Sequence, residues 1–346
     1  MVRKCTLFLS GRRLAKLQLI ICVAIGVAGL VLQAKAGIIS FDPPKSVDTY
    51  GASINAAGVT TGFFDAMKGF YEYRHGFVRG ANGTIAVFDP PESIYTEALG
   101  INAGGAITGY YETYDQADHG FVRSARGKIT TIDVSGAPGT LATSINDKGA
   151  VTGSFGDNND DNHGFVRAVD GTIGIFDPQG SIDTEPYSIN DKDWVTGDWA
   201  DENENETYHG VVRAADGTIA TFDPPGSIGT FPGGINDAGA IAGYFIDSNR
   251  IAHGFLRARD GTITTFDPSG STFTFVLGVN AKGSVVGYYW LASGPSYGFV
   301  RAADGTVATF DPKDAYGTSA VGIDNNGAVS GYYVGGSYAH GFLRTP

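Results

Sequence analysis

The sequence predicts an all-β protein, built as a seven-bladed β-propeller with four short antiparallel strands in each blade. The prediction depends on a repeat of about 44 residues, on local sequence typical of strands and tight turns, and on where the repeat begins and ends. Residues 37–346 consist almost wholly of seven copies of this repeat. We therefore expect them to form one domain, preceded by a leader of different composition.

Each copy carries four landmarks: an Ile-Asn pair, a glycine seven residues later, a His-Gly-Phe-x-Arg segment and a Phe-Asp-Pro segment, with small variations. The arginines of the third landmark are Arg79, Arg123, Arg167, Arg213, Arg257, Arg301 and Arg344. The histidines that precede them are His75, His119, His163, His209, His253 and His340. Successive arginines are 43 to 46 residues apart, a period typical of propeller blades.

The segments between landmarks have the character of strands. Gly164–Arg167 and Thr172–Phe176 are short and rich in β-branched and aromatic residues. Turns such as Asn146–Gly149 supply residues that tolerate positive φ, as tight hairpins require. No helical periodicity is found after residue 36.

The phase of the repeat favours a closed ring over a linear β-solenoid. The first Phe-Asp-Pro strand, Ile38–Pro43, precedes the first Ile-Asn pair, and the chain ends without a Phe-Asp-Pro segment after its last copy. A ring explains this offset, because the N-terminal strand can complete the seventh blade beside the C-terminal strand. We expect the Ile-Asn strand (A) near the axis and the Phe-Asp-Pro strand (D) outermost, with variable loops between strands B and C.

Residues 1–36 read as a secretory signal peptide. Basic residues up to Lys16 precede the apolar run Leu17–Leu32, and Ala34-Lys35-Ala36 forms a small-residue cleavage site. An uncleaved membrane anchor is the alternative, since the apolar run approaches the length of a membrane span. We expect cleavage, and hence a protein secreted to the periplasm or the extracellular medium.

Cleavage would change the composition of the chain. Cys5 and Cys22 both lie in the leader, so the mature protein would hold no disulfide and no thiol-ligated metal. The leader also carries six basic and no acidic residues, so the formal charge would fall from −12 to −18. So acidic a surface disfavours nucleic acid and anionic membranes as partners. We expect a monomer that does not associate with membranes after cleavage.

The Gly-Ile-Asn-x-x-Gly-x-x-x-Gly and His-Gly-Phe-x-Arg motifs resemble those of the HAF-type extracellular repeat family of secreted bacterial proteins. The resemblance covers residues 38–346, with glycine where that family usually has alanine after histidine, and arginine where it often has tryptophan. It implies secretion and a β-rich repeat fold. It implies no catalytic residue, cofactor or substrate.

The repeated polar residues are interpreted as scaffolding. A site needs one or two special residues, whereas the histidines, arginines and Phe-Asp-Pro aspartates recur in almost every copy. We expect each histidine to be buried and hydrogen-bonded within its blade. We also expect each arginine to pair with the aspartate of the neighbouring strand, because the guanidinium fork matches a carboxylate.

The chemistry that is not repeated lies in the B–C loops. Asp157, Asn159 and Asp161 have the D-x-N-x-D spacing that suits calcium, although the loop lacks the glycine and glutamate of an EF-hand; a solvated acidic loop is the alternative. Aromatic residues at the ends of the B strands are candidates for stacking on sugar rings or peptide, although alternation must turn half of them into the blade packing. The binding-face candidates are Tyr111, Trp199, Asp201, Tyr289, Trp290 and Tyr333.

No motif for a nucleophilic, metal-dependent or phosphate-binding enzyme is present in the sequence. The function that we predict is therefore a secreted, non-enzymatic scaffold that binds an extracellular polysaccharide or protein through the B–C loops. The alternatives are a glycan or peptidoglycan hydrolase or lyase with carboxylates near the axis, and a structural component of the envelope or matrix. No cofactor is expected, apart from the calcium considered above.

Overall fold

The computed structural model describes residues 37–346 except residues 70, 160, 203–206 and 293. The predicted signal peptide lies outside the described residues. The described part of the chain is all-β and contains no helix that could cross a membrane. Residues 36–346 form one compact body.

The described residues form 28 strands, arranged as seven groups of four antiparallel strands that we number as units 1 to 7 in chain order. Units 3 and 4 are joined into one eight-stranded sheet by a single parallel pair, Asn162 with Asp183. The A strands are β2 (Asp48–Ile54), β6 (Ser93–Ile101), β10 (Gly139–Ile145), β14 (Ser181–Ile189), β18 (Ser227–Ile235), β22 (Ser271–Val279) and β26 (Ala315–Ile323). The B strands are β3 (Thr60–Lys68), β7 (Ile107–Thr113), β11 (Val151–Gly156), β15 (Val195–Asp201), β19 (Ile241–Asp247), β23 (Val285–Leu291) and β27 (Val329–Gly335). The C strands are β4 (Tyr71–Arg79), β8 (Asp118–Arg123), β12 (Asn162–Arg167), β16 (Tyr208–Arg213), β20 (Ala252–Arg257), β24 (Ser296–Arg301) and β28 (Tyr338–Arg344). The D strands are β5 (Ile85–Phe88), β9 (Ile129–Ile132), β13 (Ile173–Phe176), β17 (Ile219–Phe222), β21 (Ile263–Phe266), β25 (Val307–Phe310) and, for unit 7, β1 (Ile38–Phe41).

The N-terminal strand completes unit 7, as the phase of the repeat predicts. Strand β1 pairs antiparallel with β28, with Ile38 opposite Arg344 and Phe41 opposite Gly341. The backbone N–H of Thr345 also donates to the carbonyl of Gly37 at 2.9 Å. The two ends of the described part of the chain are therefore joined within one sheet, so that β28 is not left as the open edge of unit 7.

The Ile-Asn pairs surround the axis, and residues from all seven A–B turns line one cavity there. The side-chain amide of each asparagine donates to the backbone carbonyl at the matching position of the next unit, at 2.9–3.0 Å. Asp324 replaces asparagine in unit 7 and has no amide to donate. There Asn326 donates instead to the carbonyl of Ala56, which closes the circle. Each of these asparagines thus forms a hydrogen bond between neighbouring units in addition to its role in the turn.

The glycine seven residues after each asparagine is required by close packing of the backbone. A β-carbon on Gly197 would lie 2.0 Å from the carbonyl oxygen of Glu185, where strand A is bulged. Six phenylalanines are fully buried at the third position of the His-Gly-Phe segments, one of which reads Tyr297-Gly-Phe; they are Phe77, Phe121, Phe165, Phe255, Phe299 and Phe342. Their rings fill the space beside these glycines. The phenylalanine and glycine positions of the repeat therefore specify the same core packing.

Candidate functional site

Each repeated histidine is hydrogen-bonded within its own unit, and its partner is the aspartate of strand D. The distances from Nδ1 to the carboxylate oxygen are 2.7–2.9 Å. The imidazoles are half-buried rather than fully buried, with 24–31% of the side chain exposed. In unit 4, Asp223 also accepts a hydrogen bond from Thr230 of unit 5 at 2.6 Å. The histidine–aspartate pair therefore also links neighbouring units there.

The predicted pairing of arginine with the Phe-Asp-Pro aspartate is wrong. Among the described residues these arginines instead stack on the phenylalanine of the preceding unit's D strand, 4.7–5.3 Å from its ring centre. Arg167 makes no such contact because its neighbour carries Ile132 in that position. Burial lowers the pKa of Arg79 and of Arg344, as removal from water does to any cation. The arginines therefore have a structural role, which they perform through cation–π contacts with phenylalanine rings rather than through ion pairs with aspartate.

Three of the proposed binding aromatics point into the packing rather than to the surface. Tyr111 and Tyr289 are buried, and the hydroxyl of Tyr111 lies 3.1 Å from the hydroxyl of Thr131. Tyr333 donates to Ser40 at 3.1 Å and packs against His340. Strand alternation turns these side chains towards the histidine–aspartate pairs, so we do not propose them again as ligand contacts.

Trp199, Asp201 and Trp290 occupy different environments. The ring of Trp199 covers the imidazole of His209 at 4.9 Å, and a carboxylate oxygen of Asp201 lies 3.5 Å from the same imidazole. Trp290, in contrast, is 47% exposed and rests edge-on against Phe273. Of the six candidates, Trp290 is the aromatic side chain that the structure presents to solvent.

The Asp157 loop is closed by its own hydrogen bonds. The Asp157 carboxylate accepts from the backbone N–H groups of Asn159 and Asp161 at 2.7 and 3.1 Å, and these bonds lower its pKa. Asp247 and Asn249 form the same closed loop in unit 5 without a third aspartate. The described residues contain no cluster of three or more histidine, cysteine or acidic side chains suited to a metal. Calcium binding at Asp157 stays a prediction.

Exposed aromatic side chains collect on the face that carries the B–C loops and the D–A crossings, which we call the loop face. Among the described residues on this face they are Tyr71, Tyr114, Trp290, Tyr316 and Tyr338. All five belong to units 6, 7, 1 and 2, which are consecutive around the closed ring. Tyr73 of unit 1 and Tyr114 of unit 2 are neighbours on this face, and the proximity of the Tyr114 hydroxyl raises the pKa of Tyr73. The aromatic residues thus form an arc on one side of the loop face.

A second unrepeated feature lies beside the axis, at the strand B position that follows the repeated glycine. Five units have an aromatic residue there, whereas unit 3 has Ser154 and unit 4 has Asp198. Asp198 stands opposite Glu185 of the adjacent A strand, and the hydroxyl of Tyr187 donates to Glu185 at 2.6 Å. Burial, and next the negative charge of Glu185, raise the pKa of Asp198 to about 8.

The residue of unit 2 that matches Glu185 is Glu97, and its charge is neutralised by a cation from unit 1. Arg74 pairs with Asp65 at 2.8 Å and also with Glu97, which occupies the strand position of Glu185. Tyr110, opposite Glu97, has a raised pKa because of burial and of the Glu97 charge. Sequence reasoning missed both acidic places. The sequence feature that could have revealed the place in unit 4 is Asp198 itself, because most repeats have an aromatic residue at that position.

No protein-family model matches this chain, and no curated protein is detectably similar to it in sequence. Several solved structures are similar in fold. Pyrococcus horikoshii acylaminoacyl peptidase matches with a TM-score of 0.58 and 9% identity, over 87% of this chain and 53% of that chain. Puromycin hydrolase matches with a TM-score of 0.57 and 11% identity, over 88% of this chain and 54% of that chain.

A puromycin-hydrolyzing peptidase of Mycobacterium tuberculosis matches with a TM-score of 0.55 and 11% identity, over 84% of this chain and 50% of that chain. This chain therefore spans about half the length of these solved structures. Similarity at so low an identity shows the fold alone, so the activities in these names are not carried over. Together with the four-stranded antiparallel units, it confirms the prediction of an all-β propeller.

Proposed function

We propose that the protein is a secreted, non-enzymatic scaffold that binds an extracellular polysaccharide on its loop face. The observation that carries the proposal is the arc of exposed aromatic residues on that face in units 6, 7, 1 and 2. Tyr71 and Tyr114 are each 73% exposed, although both have the apolar surface that proteins usually cover. The predicted signal peptide and the resemblance to HAF-type repeats support secretion.

The surroundings of the arc favour sugar over protein as the ligand. Sugar rings present an apolar face to an aromatic side chain and hydroxyls to polar neighbours. Asp115 and Gln116 follow Tyr114 directly, and both are exposed.

The first experiment screens residues 37–346 on a glycan array and then measures the affinity for the best glycan by calorimetry. We expect Tyr114→Ala and Trp290→Ala each to weaken binding about tenfold, which corresponds to about 1.4 kcal/mol per stacked ring. Val169→Ala is the matched control, since Val169 is 62% exposed but lies in a C–D turn on the opposite face. An equal loss in the control, or binding of proteins without glycans, would contradict the proposal.

The second candidate function is a hydrolase or lyase that acts on extracellular glycan. The specific observation in its favour is Asp198, whose pKa is raised to about 8 by burial and by the neighbouring Glu185, as a general acid requires. Against it stands burial, because Asp198 is only 2% exposed and a polymer could not approach it. Release of reducing ends from the bound glycan, abolished in Asp198→Asn, would favour the enzyme over the scaffold.

A further inference from the structure

A pocket opens in the loop face where unit 7 meets unit 1, in the middle of the arc of exposed aromatic residues. It measures about 380 Å³, and its lining residues are Asp42, Pro43, Ser46, Val47, Tyr338 and His340. The first four belong to the D–A crossing between strands β1 and β2, and the last two to strand β28. An aromatic ring, aliphatic walls and a few polar groups are thus combined in one concave place, as is typical of small-ligand sites.

The ring of Tyr338 is not used in the packing of the protein. Tyr333 of the same unit packs against His340, with 5.3 Å between the ring centres. Tyr338, in contrast, is 52% exposed, and no other aromatic ring of the described residues packs against it. The pocket therefore has an open aromatic side chain on which a ligand can stack.

The imidazole of His340 has one nitrogen bound and one open. Nδ1 lies 2.8 Å from a carboxylate oxygen of Asp42, which can only accept, so the neutral imidazole carries its proton on Nδ1 and offers Nε2 as an acceptor. In units 3 to 5 a second aspartate lies 3.5–3.8 Å from Nε2 of the repeated histidine; the three are Asp157, Asp201 and Asp247. Within the described part of the chain, no carboxylate lies so close to Nε2 of His340.

Gly335 is the reason that this nitrogen is open. It occupies the position of those aspartates in strand B, and a β-carbon there would lie only 3.5 Å from Nε2 of His340. The other units of the arc lack the aspartate as well, since they have Ala66, Thr113 and Leu291 at this position. The second aspartate is therefore absent from the same units that carry the exposed aromatic residues.

Asp42 and Ser46 add further hydrogen-bonding groups to the pocket. In units 4 to 6 the aspartate that matches Asp42 also accepts the hydroxyl of a threonine from the next unit. The matching threonine here is Thr49, which is fully buried and whose hydroxyl has no hydrogen-bond partner among the described residues. Within the same residues, the second carboxylate oxygen of Asp42 and the hydroxyl of Ser46 make no hydrogen bond either, so both are available to a ligand.

We propose that this pocket binds one neutral sugar unit of the polysaccharide, an inference that rests on the function proposed for the loop face. The sugar ring stacks on Tyr338, one of its hydroxyls donates to Nε2 of His340, and a second donates to the open oxygen of Asp42. A sugar acid is disfavoured, because its carboxylate would meet the carboxylate of Asp42.

NMR of the imidazole groups tests the proposal on residues 37–346. The protein is titrated with the methyl glycosides of glucose, galactose and mannose at pH 8. We expect at least one of them to shift the Nε2 signal of His340 and to leave that of His209, which faces Asp201, unchanged. The uronic acid counterpart of the same glycoside should bind about tenfold more weakly. The proposal is overturned if no glycoside shifts the His340 signal, or if the sugar acid binds as tightly as the neutral sugar.

Two substitutions test the pocket by closing it and by removing its ring. Gly335→Asp supplies the aspartate that units 3 to 5 have, so we expect it to fold and to bind the glycoside about tenfold more weakly. Gly335→Ala, which adds no carboxylate, should lose less affinity. Tyr338→Ala should also weaken binding about tenfold. Val169→Ala, on the opposite face, is the control and should bind as the native protein does.

Binding of the polysaccharide to the same variants separates this proposal from the proposed function. We expect Gly335→Asp and Tyr338→Ala to weaken polysaccharide binding as well. If the native protein binds the polysaccharide and both folded variants bind it with full affinity, the sugar site is refuted while the loop-face function stands. If the native protein binds no glycan, both are refuted.

Discussion

At the scale of the residue, repetition separates structural from special side chains. The repeated side chains have structural partners. Each histidine contacts a carboxylate, each asparagine amide donates to a carbonyl of the next unit, and arginines such as Arg257 stack on a phenylalanine ring. Asp198 replaces an aromatic residue and breaks the pattern at the axis. Its carboxyl is buried among other acids, and burial disfavours the ionised form. Asp198 therefore destabilises the fold at pH values above the pKa that the carboxyl has in the unfolded chain.

Asp198→Asn tests this cost through the pH dependence of melting. The folded-state pKa is about 8 and the unfolded value is near 4, so the native protein should lose stability as the pH rises from 4 to 8. The variant lacks this dependence, so we expect it to melt several degrees higher at pH 8 and at the same temperature at pH 4. One pKa unit corresponds to about 1.4 kcal/mol, which makes the upper limit about 5 kcal/mol at pH 8.

Asp216→Asn serves as a control of opposite sign. Asp216 accepts the backbone N–H of Thr218 at 2.9 Å, and this hydrogen bond lowers its pKa. Its contribution is present above the unfolded pKa and disappears as the pH falls. The control should therefore melt lower than the native protein at pH 8. Identical melting of Asp198→Asn and the native protein at both pH values would refute the buried-acid interpretation.

At the scale of the element, the N-terminal strand has a role that no other D strand has. It brings the first residues of the domain to the last strand, so that Asp42 rather than a residue after position 344 pairs with His340 at 2.8 Å. Phe41 also packs against the core of unit 1 and lies under Arg79. Strand β1 thus completes unit 7 and fills the interface between unit 7 and unit 1.

Deletion of residues 37–46 should expose strand β28 and remove Phe41 and Asp42 together. We expect a fall in melting temperature of at least ten degrees, with aggregation through the free edge of β28. Deletion of residues 37 and 38 alone, which leaves Phe41 and Asp42 in place, is the control and should have a small effect. Unchanged melting after the larger deletion would mean that β1 does not stabilise the ring.

At the scale of the whole molecule, the ring is held together by hydrogen bonds that pass from unit to unit around the axis. Six are asparagine amides and one comes from Asn326, because Asp324 cannot donate. Each bond crosses an interface between units, so the loss of any one weakens a contact on which closure depends.

A reciprocal pair of substitutions tests how much these hydrogen bonds between units contribute to stability. Asp324→Asn restores the repeated residue and should add a bond from unit 7 to unit 1, raising stability by about 1 kcal/mol. Asn280→Asp removes the bond to the carbonyl of Asp324, so we expect a loss of similar or greater size. Thermal melting should show shifts of about 1–3 °C in opposite directions. Shifts of the same sign would contradict the expected contribution of these hydrogen bonds.

The sequence by itself determined the strand segments, the order A to D within each unit and the closure by Ile38–Pro43. These follow from the period and phase of the repeat and from residues such as Gly149, whose positive φ the tight turn requires. The sequence also indicated that the repeated histidines are structural. All of these properties are local or periodic, so a single chain displays them without knowledge of its packing.

Only the tertiary structure decided which side chains meet between units. The arginines face phenylalanine rings rather than aspartates, and Tyr111 and Tyr289 face inward, because the stacking of one unit on the next fixes these neighbours. The same stacking leaves Tyr114 and Trp290 on one arc and encloses Asp198 beside Glu185. Such contacts join residues from different strands or different repeats, and their geometry depends on the ring as a whole.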